Sequence, residues 1–302
     1  MVDSAKACGR CLTDQPTENI IQCIHLIISK FEQSPDIEGQ SRDDLLELAA
    51  RELRCEKYDY EALALLQFSV YVWSMCKIEI PDKNTHVPIS FEYWMKPQFS
   101  LREQIKVFAI DGGILPSEMK LEKTFRLFNL VKVSKFVVTW VDNIFEHLAV
   151  EDPDPAKDAA RFTIKVFHHR RFLKFHANRG STIFPIGFIE ETLKTLDLLL
   201  PYGHKETIQW YQQEVQEYQL DDTACEHFTR FNPLDRKIKN FKFWGERLSN
   251  LKEIYDELEP DTLSRFWLDK RKPVQWATFW VAVLVLALTV FFGLVQSVEG
   301  AL

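Results

Sequence analysis

Apolar residues recur with helical spacing along the first part of the chain. One face of a first helix carries Ile20, Ile24, Ile27, Ile28 and Phe31. A capping-box pattern from Ser41 to Asp44 precedes a second apolar face. Residues 59–76 are apolar almost all round, which predicts a central buried helix, and Glu61 and Gln67 within it would be costly in lipid. These patterns predict a mainly α fold.

Other patterns interrupt or extend the helical regions. Residues 77–80 and 87–93 alternate apolar and polar side chains, so we expect a minor β-hairpin there. The apolar content from Ser117 toward Leu148 predicts two packed helices. After the turn at 184–187, leucines recur on one face of a further helix.

A last soluble helix is predicted from about Phe241 to Glu259. The apolar residues Trp244, Leu248, Leu251, Tyr255 and Leu258 are spaced 4-3-4-3 along it. This spacing fits the seam of a short coiled coil, and it equally fits a helix that packs on its own domain.

The run EDPDP at 151–155 predicts a boundary, because two prolines and three acids do not fit inside one regular helix. The predicted parts are a flexible N-terminus (1–16), an N-terminal helical domain (17–150), an acidic proline-rich linker (151–158), a second helical domain (159–269), a transmembrane helix (274–296) and a short distal tail (297–302).

The predicted transmembrane helix contains an uncharged run from Trp276 to Val295. At 1.5 Å per residue this run spans about 30 Å, the thickness of the hydrocarbon core of a bilayer. The expected anchor residues are Trp276, Trp280, Phe291 and Phe292, with both indoles at the N-terminal interface. A buried core helix would carry a polar face, which this run lacks.

Charges flanking this helix predict its orientation. Lys270, Arg271 and Lys272 precede it, and only Glu299 is charged after it. The positive-inside rule then places the N-terminal region in the cytosol. The position of the helix predicts post-translational insertion, as for tail-anchored proteins. The distal residues are not basic, which favours the endoplasmic reticulum or another secretory-pathway membrane over the mitochondrial outer membrane.

Net charge and cysteine content limit which partners, compartments and cofactors the protein can have. A net charge of −7 does not favour binding to nucleic acid. Six cysteines, without a secretory signal or a glycosylation sequon, predict reduced thiols in a cytosolic compartment. Cys8 and Cys11 form a C-x-x-C pair, but zinc needs further ligands, and the nearby Cys23 and His25 point to different helix faces. We therefore predict no metal or other cofactor, with Cys8 and Cys11 as weak metal candidates.

Residues 161–179 combine six basic residues and three histidines with interleaved phenylalanines and no acid. One interpretation is a surface for anionic lipid headgroups or nucleic acid. Its contact residues would be Lys165, Arg170, Arg171, Lys174 and Arg179. The other interpretation places the phenylalanines in the core and pairs the basic groups with acids elsewhere. The adjacent His168 and His169 have no carboxylate or thiol nearby in the sequence, so we expect a structural role for them.

Signatures for nucleotide binding or hydrolysis are absent from the sequence, and no catalytic residue is predicted. The leading hypothesis is a membrane-tethered interaction or scaffold protein, with the lipid bilayer and another protein as partners. One alternative is a subunit of an oligomeric channel or transporter, which would be a homo-oligomer. Another is a protein that contacts anionic lipid or nucleic acid through residues 161–179.

The C-terminal half also carries a resemblance. The segments VFHHRRFL, FPIGFIEETLKTLDLLLP and the run from FWGERLSN to GLVQS cover much of residues 160–302. In these segments the chain resembles a family of filamentous-fungal helical proteins with a single C-terminal transmembrane helix. The resemblance implies a fungal source and the same topology. It carries over no catalytic or binding residue.

Overall fold

A computed structural model describes residues 17–31, 41–80, 94, 96–109, 119–153, 161–226, 235–258 and 273–299. Helices dominate these residues, which confirms the predicted mainly α fold. The helices of the described part are α1 (Thr17–Phe31), α2 (Arg42–Leu53), α3 (Tyr60–Ser74), α4 (Leu101–Ala109), α5 (Leu127–Lys132), α6 (Arg170–Arg179), α7 (Phe188–Leu199), α8 (Lys205–Tyr218), α9 (Gly245–Glu257) and α10 (Pro273–Glu299).

Helices α1, α2 and α3 pack against one another at the start of the body. The predicted capping box is confirmed: the Ser41 hydroxyl accepts a hydrogen bond from the Asp44 N–H, and the Asp44 carboxylate accepts one from the Ser41 N–H. These bonds satisfy two backbone donors that would otherwise lack partners at the helix start. Helix α3 buries Leu65, Leu66 and Val70 against its neighbours, as its sequence predicts.

A small sheet lies beside the helices. Its strands in the described part are β1 (Val137–Val141), β2 (Val150–Glu151) and β3 (Thr163–Phe167), in the order β1-β3-β2. Strands β1 and β3 are parallel, whereas β2 runs antiparallel to β3. The central strand β3 buries Ile164, Val166 and Phe167 completely.

Strand β1 corrects the prediction of two helices between Ser117 and Leu148. Within 119–148 one α-helix, α5, is present, and the chain then turns into β1. The sequence of β1 is VVTWV, and β-branched side chains favour an extended backbone. The apolar residues Phe136, Trp140 and Ile144 are four apart, which mimics a helical face although the backbone between them is a strand.

The sheet also corrects the predicted boundary at 151–158. Strand β2 (Val150–Glu151) includes the first residue of the acidic run and pairs with β3, which follows the run, so hydrogen-bonded strands of one sheet lie on both sides of the predicted boundary. Buried residues from both sides join one hydrophobic core, among them Leu65, Leu130, Ile164 and Leu248. The two predicted helical domains are therefore one folded body.

Helix α9 packs on this body. The seam residues Trp244, Leu248, Leu251 and Tyr255 are at most 3% exposed within the chain itself. This burial confirms the second interpretation of the heptad spacing, and α9 needs no partner helix to cover its apolar face.

Helix α10 differs from every other helix in the described part. Its residues Ala277–Gln296 have a mean hydropathy of 2.5, and none of them is buried. The helix is long and apolar enough to cross a membrane. It continues through Glu299, beyond the predicted end at 296. Other predictions lie outside the described residues, including the hairpin arm at 87–93 and the N-terminus at 1–16.

Candidate functional site

The predicted basic stretch forms β3, a short connection and α6. Lys165 on β3 lies between two carboxylates, with its Nζ 2.8 Å from Glu151 and 3.0 Å from Glu146. The hydrogen bond to Glu151, supported by Glu146, raises the pKa of Lys165 above its ordinary value. The ammonium group of Lys165 is thus paired within the sheet.

Arg170, at the start of α6, is completely buried. Its Nη2 donates to Asp197 on α7 at 2.6 Å, and its Nε donates to the Ala224 carbonyl at 3.0 Å. A buried guanidinium paired in this way holds α6 and α7 together and offers no face to a lipid headgroup or nucleic acid. The expectation that Arg170 contacts an external anion is therefore corrected.

The other predicted contact residues lie on α6. Arg171 pairs with Asp222 at 2.5 Å, and Lys174 pairs with Glu226 at 2.5 Å. The guanidinium of Arg179 lies over the Phe175 ring, 5.2 Å from its centroid. The acidic partners of Arg171 and Lys174 come from one segment, 221–226, which the sequence separates from the basic stretch by about 50 residues.

A second group of polar side chains lies at the carboxyl ends of β1 and β3. Val141 is paired with Phe167 in the parallel register, so the residues that follow, Asp142 and His168, are neighbours. The Asp142 Oδ1 is 2.6 Å from His169 Nε2 and 3.6 Å from His168 Nε2. The two imidazole rings lie 3.9 Å apart. Carboxyl ends of parallel strands are common places for ligands to bind.

Hydrogen bonds assign different roles to the two histidines. The backbone N–H of Asp221 donates to His168 Nδ1 at 3.0 Å, so that nitrogen carries a lone pair and the proton of the neutral ring is on Nε2. His168 therefore presents an N–H to Asp142, as His169 does from 2.6 Å. Hydrogen bonds from His168 and His169 hold the pKa of Asp142 well below its ordinary value.

Sequence reasoning missed this group because Asp142 fell in a region predicted to be helical. The available signal was a β-branched run followed at once by a polar residue, which occurs twice: VVTWV before Asp142 and TIKVF before His168. Two such strands side by side in parallel would bring the three side chains together. Carboxylate oxygens and imidazole nitrogens are donor atoms for divalent cations.

His147 is a buried histidine with a structural role. Its Nδ1 accepts a hydrogen bond from the Phe167 N–H at 3.2 Å, and its Nε2 is 2.8 Å from the Thr195 hydroxyl. Burial lowers the pKa of His147 to about 3, so the ring is neutral at physiological pH. Nearby, Arg247 on α9 donates to the backbone carbonyls of Phe145 and His147.

The predicted anchor residues lie on α10. Phe291 and Phe292 are 59% and 57% exposed, and the Trp280 ring contacts that of Phe279. The backbone of Trp276 lies in α10, but its side chain lies outside the described set. Lys270, Arg271 and Lys272 lie outside the described residues, as do Cys8 and Cys11.

Comparisons with protein-family models, with curated proteins and with solved structures find no match to this chain. Functional inference therefore starts from two features of the chain itself, the exposed apolar helix α10 and the polar group at the ends of β1 and β3.

Proposed function

We propose that the protein is a single-pass membrane protein whose folded body faces the cytosol and serves as an interaction or scaffold region. The observation that carries this proposal is that no residue of the apolar window Ala277–Gln296 is buried. Twenty residues of helix span about 30 Å, which matches the hydrocarbon core of a bilayer. In water the same surface would be an unusually large apolar patch.

Polar groups within α10 are compatible with lipid. The hydroxyls of Thr278 and Thr289 donate to the carbonyls of Val274 and Val285 at 2.9 and 2.8 Å. Such bonds satisfy the hydroxyls inside the helix and lower the cost of placing them in hydrocarbon. The window carries no ionisable side chain, which supports an anchor over a polar conduit.

The orientation and the kind of partner are further parts of the proposal. The basic residues at 270–272 favour a cytosolic N-terminal side, and a membrane of the secretory pathway is the proposed location. Within the body, Lys165, Arg171 and Lys174 already have carboxylate partners, so a protein partner is favoured over an anionic lipid or nucleic acid. The resemblance to fungal single-span proteins agrees with this topology.

Membrane extraction tests the anchor. The full chain with an N-terminal tag is compared with a version truncated after Lys272, and both are extracted with alkaline carbonate. We expect the full chain to stay in the membrane pellet and the truncated chain to be soluble. A truncated chain that stays in the pellet would mean that α10 is not the sole anchor, and α3 would become the next candidate.

Protease protection tests the orientation on the same membranes. We expect the N-terminal tag to be digested in sealed microsomes without detergent. Protection of the tag until detergent is added would place the body in the lumen and contradict the cytosolic orientation. A luminal marker protein, protected in the same sample, controls for the integrity of the vesicles.

A further inference from the structure

The polar group at the ends of β1 and β3 has a ligand-binding geometry that the anchor does not use. We propose that Asp142 and His169 bind a divalent metal ion of the zinc class, and that His168 orients Asp142 through its Nε2 N–H group, which lies 3.6 Å from the carboxylate. This proposal does not depend on the membrane topology, because the three residues belong to the folded body.

The distances suit a small transition-metal ion. Zinc binds imidazole nitrogen and carboxylate oxygen at about 2.0–2.2 Å in a tetrahedron, so neighbouring ligand atoms lie about 3.3 Å apart. One ligand atom from each of Asp142, His168 and His169 lies within 4.8 Å of the other two. The hydrogen-bonded pair of Asp142 and His169, at 2.6 Å, needs to open by about 0.7 Å to admit the ion.

The hydrogen bond from the Asp221 N–H decides which histidine is the ligand. His168 uses its Nδ1 lone pair for that bond, so its Nε2 carries a proton and has no lone pair for a metal. His169 has no such restraint in the described contacts, so its proton can move to Nδ1 in the other neutral tautomer, which leaves the Nε2 lone pair for the ion. The remaining N–H of His168 then acts on Asp142 as outer-shell donors act on metal-bound carboxylates.

Exposure leaves room for the rest of the coordination sphere. The side chains of Asp142 and His169 are 38% and 25% exposed, whereas that of His168 is 7% exposed. Water can therefore reach the two proposed ligands and complete the tetrahedron. A mixed set of imidazole and carboxylate favours zinc, cobalt or nickel over calcium and magnesium, which prefer oxygen alone.

Hydrogen bonds of neighbouring residues hold the segments around the site in place. The carboxylate of Asp221 accepts a hydrogen bond from the Arg171 N–H at 2.8 Å, which caps α6 and fixes the segment that holds His168. The Trp140 indole, edge-on to His168, donates to Glu214 at 3.1 Å. Ligands held on strand ends by such contacts are preorganised for binding.

Calorimetric titration with zinc tests the proposal on the full chain in detergent micelles. The chain carries Cys8→Ser and Cys11→Ser, which remove the C-x-x-C pair as a competing site, and is first stripped with a chelator. We expect one saturable site that is lost in His169→Ala and in Asp142→Asn. His168→Phe should keep the site but weaken its affinity about 10- to 100-fold. His25→Ala, on the exposed face of α1, is the matched control and should bind as before.

Two results would overturn the proposal: no saturable zinc binding by the parent chain, or binding that His169→Ala leaves unchanged. Equal loss in His168→Phe and His169→Ala would overturn the assigned roles. Nitrogen-15 spectra of the histidine rings serve where a variant fails to fold. In the parent chain zinc should shift the His169 Nε2 resonance and leave His168 protonated at Nε2, and the reverse pattern would contradict the assignment.

Discussion

Helices α3 and α10 have similar chemistry and opposite surroundings. In α3, Leu65 and Leu66 are completely buried in the body. In α10, Leu286 is 65% exposed and Phe291 is 59% exposed, although both residues are as apolar as those of α3. Apolar content alone therefore does not tell a core helix from a helix that lies outside the core.

Length and the placement of polar residues separate the two helices. The 15 residues of α3 span about 22 Å, too short for a bilayer, and they include Glu61 and Gln67. The 27 residues of α10 span about 40 Å, with a single charge at Glu299. Both helices return hydroxyls to their own backbone, Ser69 and Ser74 in α3 and the two threonines in α10.

The substitution with the largest expected effect destabilises the folded body and leaves α10 unchanged. In Arg170→Ala the buried Asp197 loses its ion pair, which should lower the free energy of unfolding by about 3–5 kcal/mol. This loss is measured by denaturant unfolding of the full chain in detergent, followed by tryptophan fluorescence. Arg171→Ala removes an exposed pair and should cost about 0–1 kcal/mol. Similar costs for both variants would contradict the burial of Arg170.

The same truncation in both helices sharpens the comparison directly. Leu65→Ala leaves a cavity in the core and should lower the free energy of unfolding of the body by about 2–5 kcal/mol. Leu286→Ala removes as many atoms from an exposed position and should change the free energy of unfolding of the body by less than about 0.5 kcal/mol. The same unfolding measurement serves for both, and a large loss in Leu286→Ala would mean that α10 packs on the body.

A charged residue placed in α10 tests whether this helix lies in the hydrocarbon of a membrane. Leu286→Arg places a guanidinium near the middle of the apolar window, and membrane insertion should become less favourable by about 2.5–3.5 kcal/mol. Insertion is measured as the fraction of newly made chain that resists carbonate. Val274→Arg, at an exposed position near the start of α10, is the matched control and should insert almost normally. Equal insertion of both variants would show that the window is not in hydrocarbon.

Acid should weaken the body through His147. Its pKa is about 3 in the folded chain against about 6.5 in an unfolded chain, so the unfolded state binds the extra proton between these values. The free energy of unfolding is not lowered by this group above about pH 6.5, and it falls as the pH drops toward 3, because the unfolded chain then binds the proton first. Unfolding curves at several pH values measure this slope. His147→Gln should flatten it, and an unchanged slope would assign the acid sensitivity to other groups.

The smallest effect concerns a helix end. Ser41→Ala removes the side-chain half of the capping box of α2 and should cost about 1 kcal/mol. Ser29→Ala, on the exposed face of α1, removes a hydroxyl that bonds only to its own helix and should be close to neutral. Unfolding midpoints of the two variants give the difference. Equal midpoints would mean that the cap adds nothing to the stability of the body.

Local patterns predicted the features that depend on neighbouring residues. The capping box at Ser41, the helix after the turn at 184–187 and the apolar run of α10 all follow from residues within a few positions of one another. The seam of α9 was predicted as well, and only the structure decided that the body covers it.

Features that depend on residues far apart along the chain could not be predicted from the sequence. Strand β1 exists because β3, about 26 residues later, pairs with it, and a helical spacing of Phe136, Trp140 and Ile144 concealed it. The basic stretch contains no acid of its own, and the acids that pair with Arg171 and Lys174 lie about 50 residues further along the chain, at 221–226. The metal-binding group needs both strands, so no single segment of the sequence contains it.

The strand order has a consequence for the timing of folding. The central strand β3 is the last of the three to be synthesised, so β1 and β2 have no sheet partner until the chain reaches Phe167. In a partly folded chain in which β3 has not yet joined the sheet, β1 and β2 are therefore two strand edges open to pairing with other chains. Because β3 pairs with both strands, its arrival closes both edges in one step.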